Sequence, residues 1–352
     1  TDPDLGNGTT RLDVSAINSA TNTVILQASE NITFSAPIDI ATAGVGLTAD
    51  AGKDIFVNQS ITTNGGNVAL RAENGVFVNG VEINTNRNDS PQGSFIAIGG
   101  KQRVAIVNSQ LRSRIDSDSS TKADTGAIAI LSQQGSVDII GSTISTTNFA
   151  SGIAGDVVIT AQDNVTFRNS TVFSRGNQGR ILIGKSQFLD LAPKSIKLDN
   201  SALTTRNDVD ATGRIDAGDI SLIAQDSIEL TNGSFITSST DREGLAGLIY
   251  LQTDGGDVVL SGGSAIETNV KRNGFSPDSE TPFAGGVFNS LLGRTDQKIV
   301  GSIGISTGNL LLTDGSYLDA STEGRGNAGA VIVSASNSVT LQNGGVIFSR
   351  VE

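Results

Sequence analysis

Short runs of alternating apolar and polar residues recur along the whole chain, each closed by a corner of turn residues. The phrase reads Val-Thr-Phe-Arg-Asn-Ser-Thr-Val-Phe-Ser at 165–174 and Ile-Glu-Leu-Thr-Asn-Gly-Ser-Phe-Ile-Thr at 228–237. It returns as Leu-Leu-Leu-Thr-Asp-Gly-Ser-Tyr-Leu-Asp at 310–319 and Val-Thr-Leu-Gln-Asn-Gly-Gly-Val-Ile-Phe at 339–348. Looser copies surround Ala36, Asn58, Asn79, Asn108, Gly141, Asn200 and Gly262. Alternation of period two is the pattern of a strand with one buried face. Another strand-like phrase lies upstream of each corner, often opened by Gly-Asp or Gly-Asn, as in Gly155-Asp-Val-Val-Ile-Thr-Ala, Gly218-Asp-Ile-Ser-Leu-Ile-Ala and Gly66-Asn-Val-Ala-Leu-Arg-Ala. Each unit predicts about three short strands.

From corner to corner, starting at Ala36, the intervals are 22, 21, 29, 33, 28, 31, 32, 30, 52 and 29 residues. Self-similarity at this spacing marks a repeat architecture. In an antiparallel sandwich the Asn-Gly corners would be hairpin turns. In a parallel β-solenoid the same corners turn the chain between the faces of one coil, and successive coils stack about 4.8 Å apart. The solenoid explains more. A unit of about 21–22 residues suits one lap of three strands. An Asn kept at one corner can ladder its amides along the axis and take up left-handed backbone at low cost. A hairpin fold gains nothing from that repetition.

The expected fold is therefore all-β, a parallel β-helix of about 11–12 coils of 21–33 residues, forming a rod on the order of 50 Å long. It is read as one domain over 1–352, with short coils over 1–90, longer coils over 91–270, an excursion over 271–300 and terminal coils over 301–352. The added length falls after the second apolar run, in polar segments at 112–125, 148–154, 206–217 and 322–327, and is expected to project as loops from a single edge. The excursion holds Pro277, Pro282, Phe275, Phe283 and Phe288, and is expected to fold back over the rod, with docking of another subunit as the alternative.

Composition narrows the function. The 352 residues include no Cys, His, Met or Trp. That removes Ser-His-Asp and Cys-His machinery, zinc fingers, haem ligation and disulfides. A net charge of −12 argues against nucleic acid, which needs a basic stripe. No apolar stretch approaches ~18 residues, so no membrane span is expected. Absence of Cys is compatible with secretion. Thr1-Asp-Pro-Asp is not a signal peptide and no initiator Met precedes it, so an internal piece of a longer, processed product is expected.

Candidate chemistry rests on carboxylates. Asp208, Asp210, Asp216 and Asp219 cluster, as do Asp116, Asp118 and Asp124, while Asp254 and Asp257 flank two glycines. Glycoside cleavage needs two carboxylates about 5–10 Å apart in a groove. With Tyr 2 and Trp 0, aromatic stacking for a sugar is poor, and solvated loop charge is the preferred reading. No catalytic, cofactor-binding or metal-binding residue is therefore assigned. Oxygen-rich loops suit calcium. The Gly-Gly-x-Gly-x-Asp nonapeptide and the EF-hand spacing are absent, however, so no cofactor is expected beyond incidental calcium. Lys101, Arg103, Arg112 and Arg114 form the densest basic stretch, with Arg112 and Arg114 on one outward side. The sequons Asn164-Val-Thr and Asn232-Gly-Ser carry no weight at this composition.

The phrases Asn31-Ile-Thr-Phe, Gly44-Val-Gly-Leu-Thr-Ala-Asp-Ala-Gly-Lys-Asp-Ile-Phe-Val-Asn and Gly65-Gly-Asn-Val-Ala-Leu-Arg-Ala resemble filamentous-haemagglutinin-type exoproteins of two-partner secretion. The later Gly326-Asn-Ala-Gly-Ala-Val-Ile-Val-Ser-Ala-Ser-Asn-Ser-Val-Thr-Leu-Gln-Asn-Gly-Gly is similar to repeats of large cyanobacterial surface proteins of this type. The resemblance spans nearly the whole chain but rests on low-complexity repeats, and the family's amino-terminal secretion domain is not evident. It implies a right-handed parallel β-helix, export through an outer-membrane transporter, and an extracellular, cell-surface role in adhesion or matrix building, with surface glycans or other cells as partners. A carbohydrate-active β-helix enzyme is the rival expectation, and end-to-end association of copies a further one, because Val346-Ile-Phe has no polar or helical cap after it.

Overall fold

The computed structural model describes residues 10–86, 94–115, 124–149, 152–185, 191–207, 216–241, 244–270, 301–323 and 328–351. Inward residues of these segments are Ile, Val, Leu or Ala at alternate positions, and a strand with one such face is stable only against a neighbour that covers it. The chain meets this need with itself. Every strand pairs parallel to the strand one lap away, giving a parallel β-helix. Each lap has a first, a second and a third face. In coil 1 these are Val24–Ala28, Ile32–Phe34 and Ile38–Ala43, and the third face continues through eleven strands to Val346–Phe348 in coil 11. In coils 10 and 11, Ile303–Leu312 and Val331–Leu341 run through the corner between first and second faces and join them into one 20-stranded sheet.

Register follows the sequence repeat. On the second face Ile32 pairs with Ile55, Ile55 with Val76, Val104 with Val137, and Leu198 with Leu230. These steps match the corner-to-corner intervals to within a residue, including the 52-residue step from Asp257 to Asn309. The core is a set of axial columns. Ile61, Ile83, Leu111, Ile144, Val172, Leu203, Ile236, Ile266 and Leu318 form one of them on the third face, every member fully buried. At the first coil the helix Val14–Asn18, capped by the Asp13 carboxylate accepting from the Ser15 N–H, buries Ile17 in this core. In coil 11 the corresponding columns leave Val339 49% and Leu341 46% exposed.

From coil 4 onward the corner residues take the expected left-handed backbone: Asn108, Gly141, Asn169, Asn200, Asn232, Gly262, Asp314 and Asn343 have φ between +46° and +64°. Ala36 and Asn58 in coils 1 and 2 do not. In coil 3 that role falls to Gly80 rather than Asn79. The amide ladder is thinner than expected. A direct bond, Asn200 Nδ2 to Asn169 Oδ1 at 2.7 Å, is exposed, and Gly141, Gly262 and Asp314 interrupt the column. Continuity lies instead with the next inward residue. The hydroxyls of Ser142, Ser170, Ser201 and Ser234 each accept the backbone N–H of the serine one coil earlier at 3.1 Å. Those of Ser142, Ser170 and Ser201 donate to carbonyls of their own turn. A hydroxyl donates and accepts at once, so identical serines can satisfy one another along the axis where water is absent.

Lengthening occurs mostly at one corner, between third and first faces. The connections there are 44–46 and 65–67 in the first coils, and 85–95, 116–127, 149–156, 208–219, 241–248, 271–302 and 320–330 later, with 176–180 staying short. The single-edge expectation needs one correction, because 185–194 leaves from the corner between first and second faces. Its last residues bind the next coil, with Pro193 O accepting the Gln225 N–H at 2.8 Å. Interval lengths fix how many residues a lap adds but not the corner that holds them. The excursion 271–300, with Phe275, Phe283, Phe288, Pro277 and Pro282, lies outside the described residues, as do 116–123, 208–215 and 324–327.

Where the main loop corner re-enters the first face, coils approach through glycine. A Cβ on Gly218 would sit 1.9 Å from Gly179 O, whereas one on Gly99 would meet nothing within 4 Å. Gly218→Ala is expected to destabilise by about 1–3 kcal/mol and Gly99→Ala by no more than about 0.5 kcal/mol. Denaturant melts check this. Equal midpoints for the two variants would refute the close approach.

Candidate functional site

The described members of the acidic clusters, Asp124, Asp216 and Asp219, fall at the main loop corner, where each is stacked on its counterpart one coil away. Four positions before the first-face strand, Asp124 Oδ1 accepts the Ile153 N–H at 2.7 Å and Asp216 Oδ1 accepts the Leu245 N–H at 2.9 Å. One position before the strand, Asn67 Oδ1 accepts the Phe95 N–H, Asp156 Oδ1 the Arg180 N–H and Asp219 Oδ1 the Leu248 N–H, at 3.0, 2.9 and 2.8 Å. Asp216 and Asp219 are three apart and so are Leu245 and Leu248. Parallel register therefore hands each carboxylate the N–H directly above it. Both side chains serve as backbone acceptors along the axis. Asp116, Asp118, Asp208 and Asp210 lie outside the described residues.

Asp156, Arg180 and Asp219 form a charged column across three successive coils. Arg180 Nη2 donates to Asp156 Oδ2 at 2.6 Å and its Nε reaches both carboxylate oxygens at 3.2 Å. Asp156 raises the guanidinium pKa further above its ordinary value. Burial pushes the Asp219 carboxyl up to about 6, against the Leu248 N–H and the charge of Arg180, which favour ionisation. Asp156 and Arg180 were not among the residues picked out from composition. Asp156 follows Gly155 as Asp219 follows Gly218, and Arg180 follows Gly179 at the same place in the coil between them.

The remaining candidates are spread over the surface. Asp254 and Asp257 are exposed, and Asp257 accepts from Asn309 Nδ2 at 2.8 Å. The basic stretch is divided between faces. Lys101 pairs with Glu73 at 3.1 Å and Arg103 with Asp138 at 2.8 Å, whereas Arg112 and Arg114 share the outward side of the third face. A cleft of about 360 Å³ opens on the first face at Gly99, lined by Asp50, Arg71, Glu73, Lys101, Leu131 and Gln133 among others. Among the described residues there is no group of three or more carboxylates placed to hold a metal ion, and no helix long and apolar enough to cross a membrane.

Comparison of the chain with protein-family models, with curated proteins and with solved structures finds no match.

The raised Asp219 carboxyl has a pH signature. Between an ordinary value of 3.8 and about 6 the folded chain holds this proton more tightly than the unfolded chain, so the residue's contribution to stability falls as the pH rises through that window. Asp219→Asn keeps an oxygen for the Leu248 N–H and removes the buried charge. The variant is expected to unfold at a higher temperature than the parent near pH 8, and the gap should close below about pH 4. A gap that is constant with pH, or that widens in acid, would refute the assignment.

Proposed function

We propose that the chain is a secreted, cell-surface structural or adhesive protein: a stiff β-helical rod that holds loops and an outward sheet face away from the surface for attachment or matrix building. The observation that carries this reading is the investment in axial continuity. Core columns, serine hydroxyls, corner carboxylates and ion pairs such as Lys53–Glu30 and Lys197–Glu229 all join one coil to the next. A fold built this way transmits force along its axis through many parallel backbone bonds. Its length can also change by whole coils without disturbing a central site.

Export through an outer-membrane transporter fits the same reading. Pairing partners are separated by a single lap, mostly 21 to 33 residues, so a chain emerging from a pore can add coils one at a time without waiting for distant segments. An absence of Cys keeps such a chain free of thiol chemistry during export. The resemblance of the repeats to two-partner-secretion exoproteins points the same way.

Two measurements test the proposal. Negative-stain micrographs of the purified chain should contain straight rods on the order of 50 Å long. Incubation with a polysaccharide panel should retain the chain on a subset of polymers without releasing reducing ends. Sugar release that Asp216→Ala and Asp219→Ala abolish would replace this reading with the enzyme.

A further inference from the structure

The first face carries few large outward side chains over coils 2 to 5. Register sets its outward residues in two rows along the axis, Thr48, Ala69, Ala97 and Ala129 in one and Asp50, Arg71, Gly99 and Leu131 in the other. The first row rises no higher than a threonine or an alanine methyl. In the second, Gly99 has no side chain at all, and the cleft of about 360 Å³ opens there, between Arg71 one coil before and Leu131 one coil after. A second hollow of about 380 Å³ adjoins it over coils 1 to 3 and shares Asp50 and Glu73 with it. Ligand sites have volumes of about 300–1,000 Å³, and the cleft lies at the lower end of that range.

Two charged groups in the cleft are not used by the fold. Arg103, Arg168, Arg180 and Lys197 each hold an acid of a neighbouring coil. Arg71 has Asp50 as its register neighbour, yet the two form no ion pair. Among the described residues neither side chain has a hydrogen bond, an ion pair or a ring contact. Lys101 and Glu73, also in the lining, are paired at 3.1 Å. The lining therefore carries Arg71 and Lys101 against Asp50 and Glu73, with no net charge.

Apolar surface surrounds these groups. Leu131 lines the cleft itself. Phe95, immediately before the strand Ile96–Gly100, falls in the same outward series as Ala97 and Gly99. It is 43% exposed, and its backbone N–H is held by Asn67 Oδ1 at 3.0 Å. Four residues of strand separate Phe95 from Gly99, about 13 Å. Within coil 4 the Ala97 methyl alone is outward between them, with Ala69 and Ala129 on either side of it.

We propose that this face binds a neutral polysaccharide, with one sugar seated in the cleft at Gly99 and the polymer continuing over Ala97 towards Phe95. A sugar hydroxyl donates and accepts at once, so it can satisfy both the guanidinium of Arg71 and the carboxylate of Asp50, which line one cleft without meeting each other. The C–H face of the ring rests on Leu131 and the alanine methyl groups, and a further ring stacks on Phe95. A polyanion gains nothing from a lining without net charge and is opposed by the −12 of the whole chain. A polycation would be set against Arg71. The inference deepens the attachment reading, on which it rests, by naming the polymer class and the surface that holds it.

The test is a titration of the whole chain with neutral oligosaccharides of glucose, galactose, mannose or N-acetylglucosamine, beside oligogalacturonate, dextran sulfate and polylysine, at about 50 and 200 mM salt. At least one neutral oligomer is expected to bind more tightly than all three charged polymers, with an affinity that salt leaves unchanged. Gly99→Val places a side chain where a Cβ meets nothing within 4 Å, so it fills the cleft without disturbing the coil. It should lower affinity by about tenfold or more, and so should Arg71→Gln. Thr237→Val on the third face should bind as the parent does. Far-ultraviolet circular dichroism checks that each variant is folded, and Arg71→Gln carries the comparison if Gly99→Val is not. Absent binding of every neutral oligomer, tighter binding of a charged polymer, or unchanged affinity in a folded cleft variant would each overturn the proposal. If polysaccharides retain the cleft variants as well as the parent, the cleft alone is lost and the attachment reading stands. If straight rods are missing from micrographs, it is the structural reading that fails.

Discussion

Each residue of a strand has as its neighbours the residues at the same position one lap before and one lap after, about 4.8 Å away. That constraint governs the rest of the molecule, because whatever a coil places at a position must tolerate its own kind, or a complement, directly above and below. Branched aliphatic residues tolerate it by stacking methyl groups, which is why the columns through Ile61 and Ile83 run unbroken. Serine tolerates it because its hydroxyl accepts the backbone N–H of the serine one lap before while donating to a carbonyl of its own turn. Glycine does so at Gly155 and Gly218, where the backbone of the preceding coil passes too close for a Cβ. Charge tolerates it poorly, and much of the rod answers with opposite signs, as in Lys101 beside Glu73.

Seen in this light, the acidic clusters have a structural explanation. A carboxylate at a loop corner meets a backbone N–H that has left the sheet ladder and has no carbonyl opposite it. Asp124, Asp156, Asp216 and Asp219 each supply that acceptor. The N–H groups bound by Asp156, Asp216 and Asp219 are partly buried, and an unpaired buried N–H costs about 1–3 kcal/mol, more than an exposed ion pair returns, so these three side chains matter more to the fold than most of the surface salt bridges. On the third face the alternation of sign is not universal, since Arg175 lies opposite Arg206 and Glu267 opposite Asp319.

Part of the site was legible in the sequence. Arg112 and Arg114 are two apart in a strand pattern, so a shared outward side followed at once. Gathering Arg71, Gly99 and Leu131 around one cleft required the register, because these residues come from three different laps and no local pattern connects them. Asp216 and Asp219 were visible as a cluster, yet their use as backbone acceptors depended on which N–H groups the next coil sets above them. The Asp156–Arg180 pair was missed for the same reason, since its members are 24 residues apart.

By itself the sequence determined the coil. Period-two strands, left-handed corners at Asn and Gly, and recurrence at 21 to 33 residues leave little alternative to a parallel winding, because local backbone preference and the repeat interval both act within one lap. The tertiary structure decided what happens between laps. It chose buried serine hydroxyls over exposed amides as the axial ladder, since only the inward side lacks water to compete. It moved the 185–194 loop to a second corner, which no count of residues per lap could specify. It also set Arg71 and Leu131 on either side of Gly99, because proximity along the axis is created by stacking and is absent from the chain until the coils close on one another.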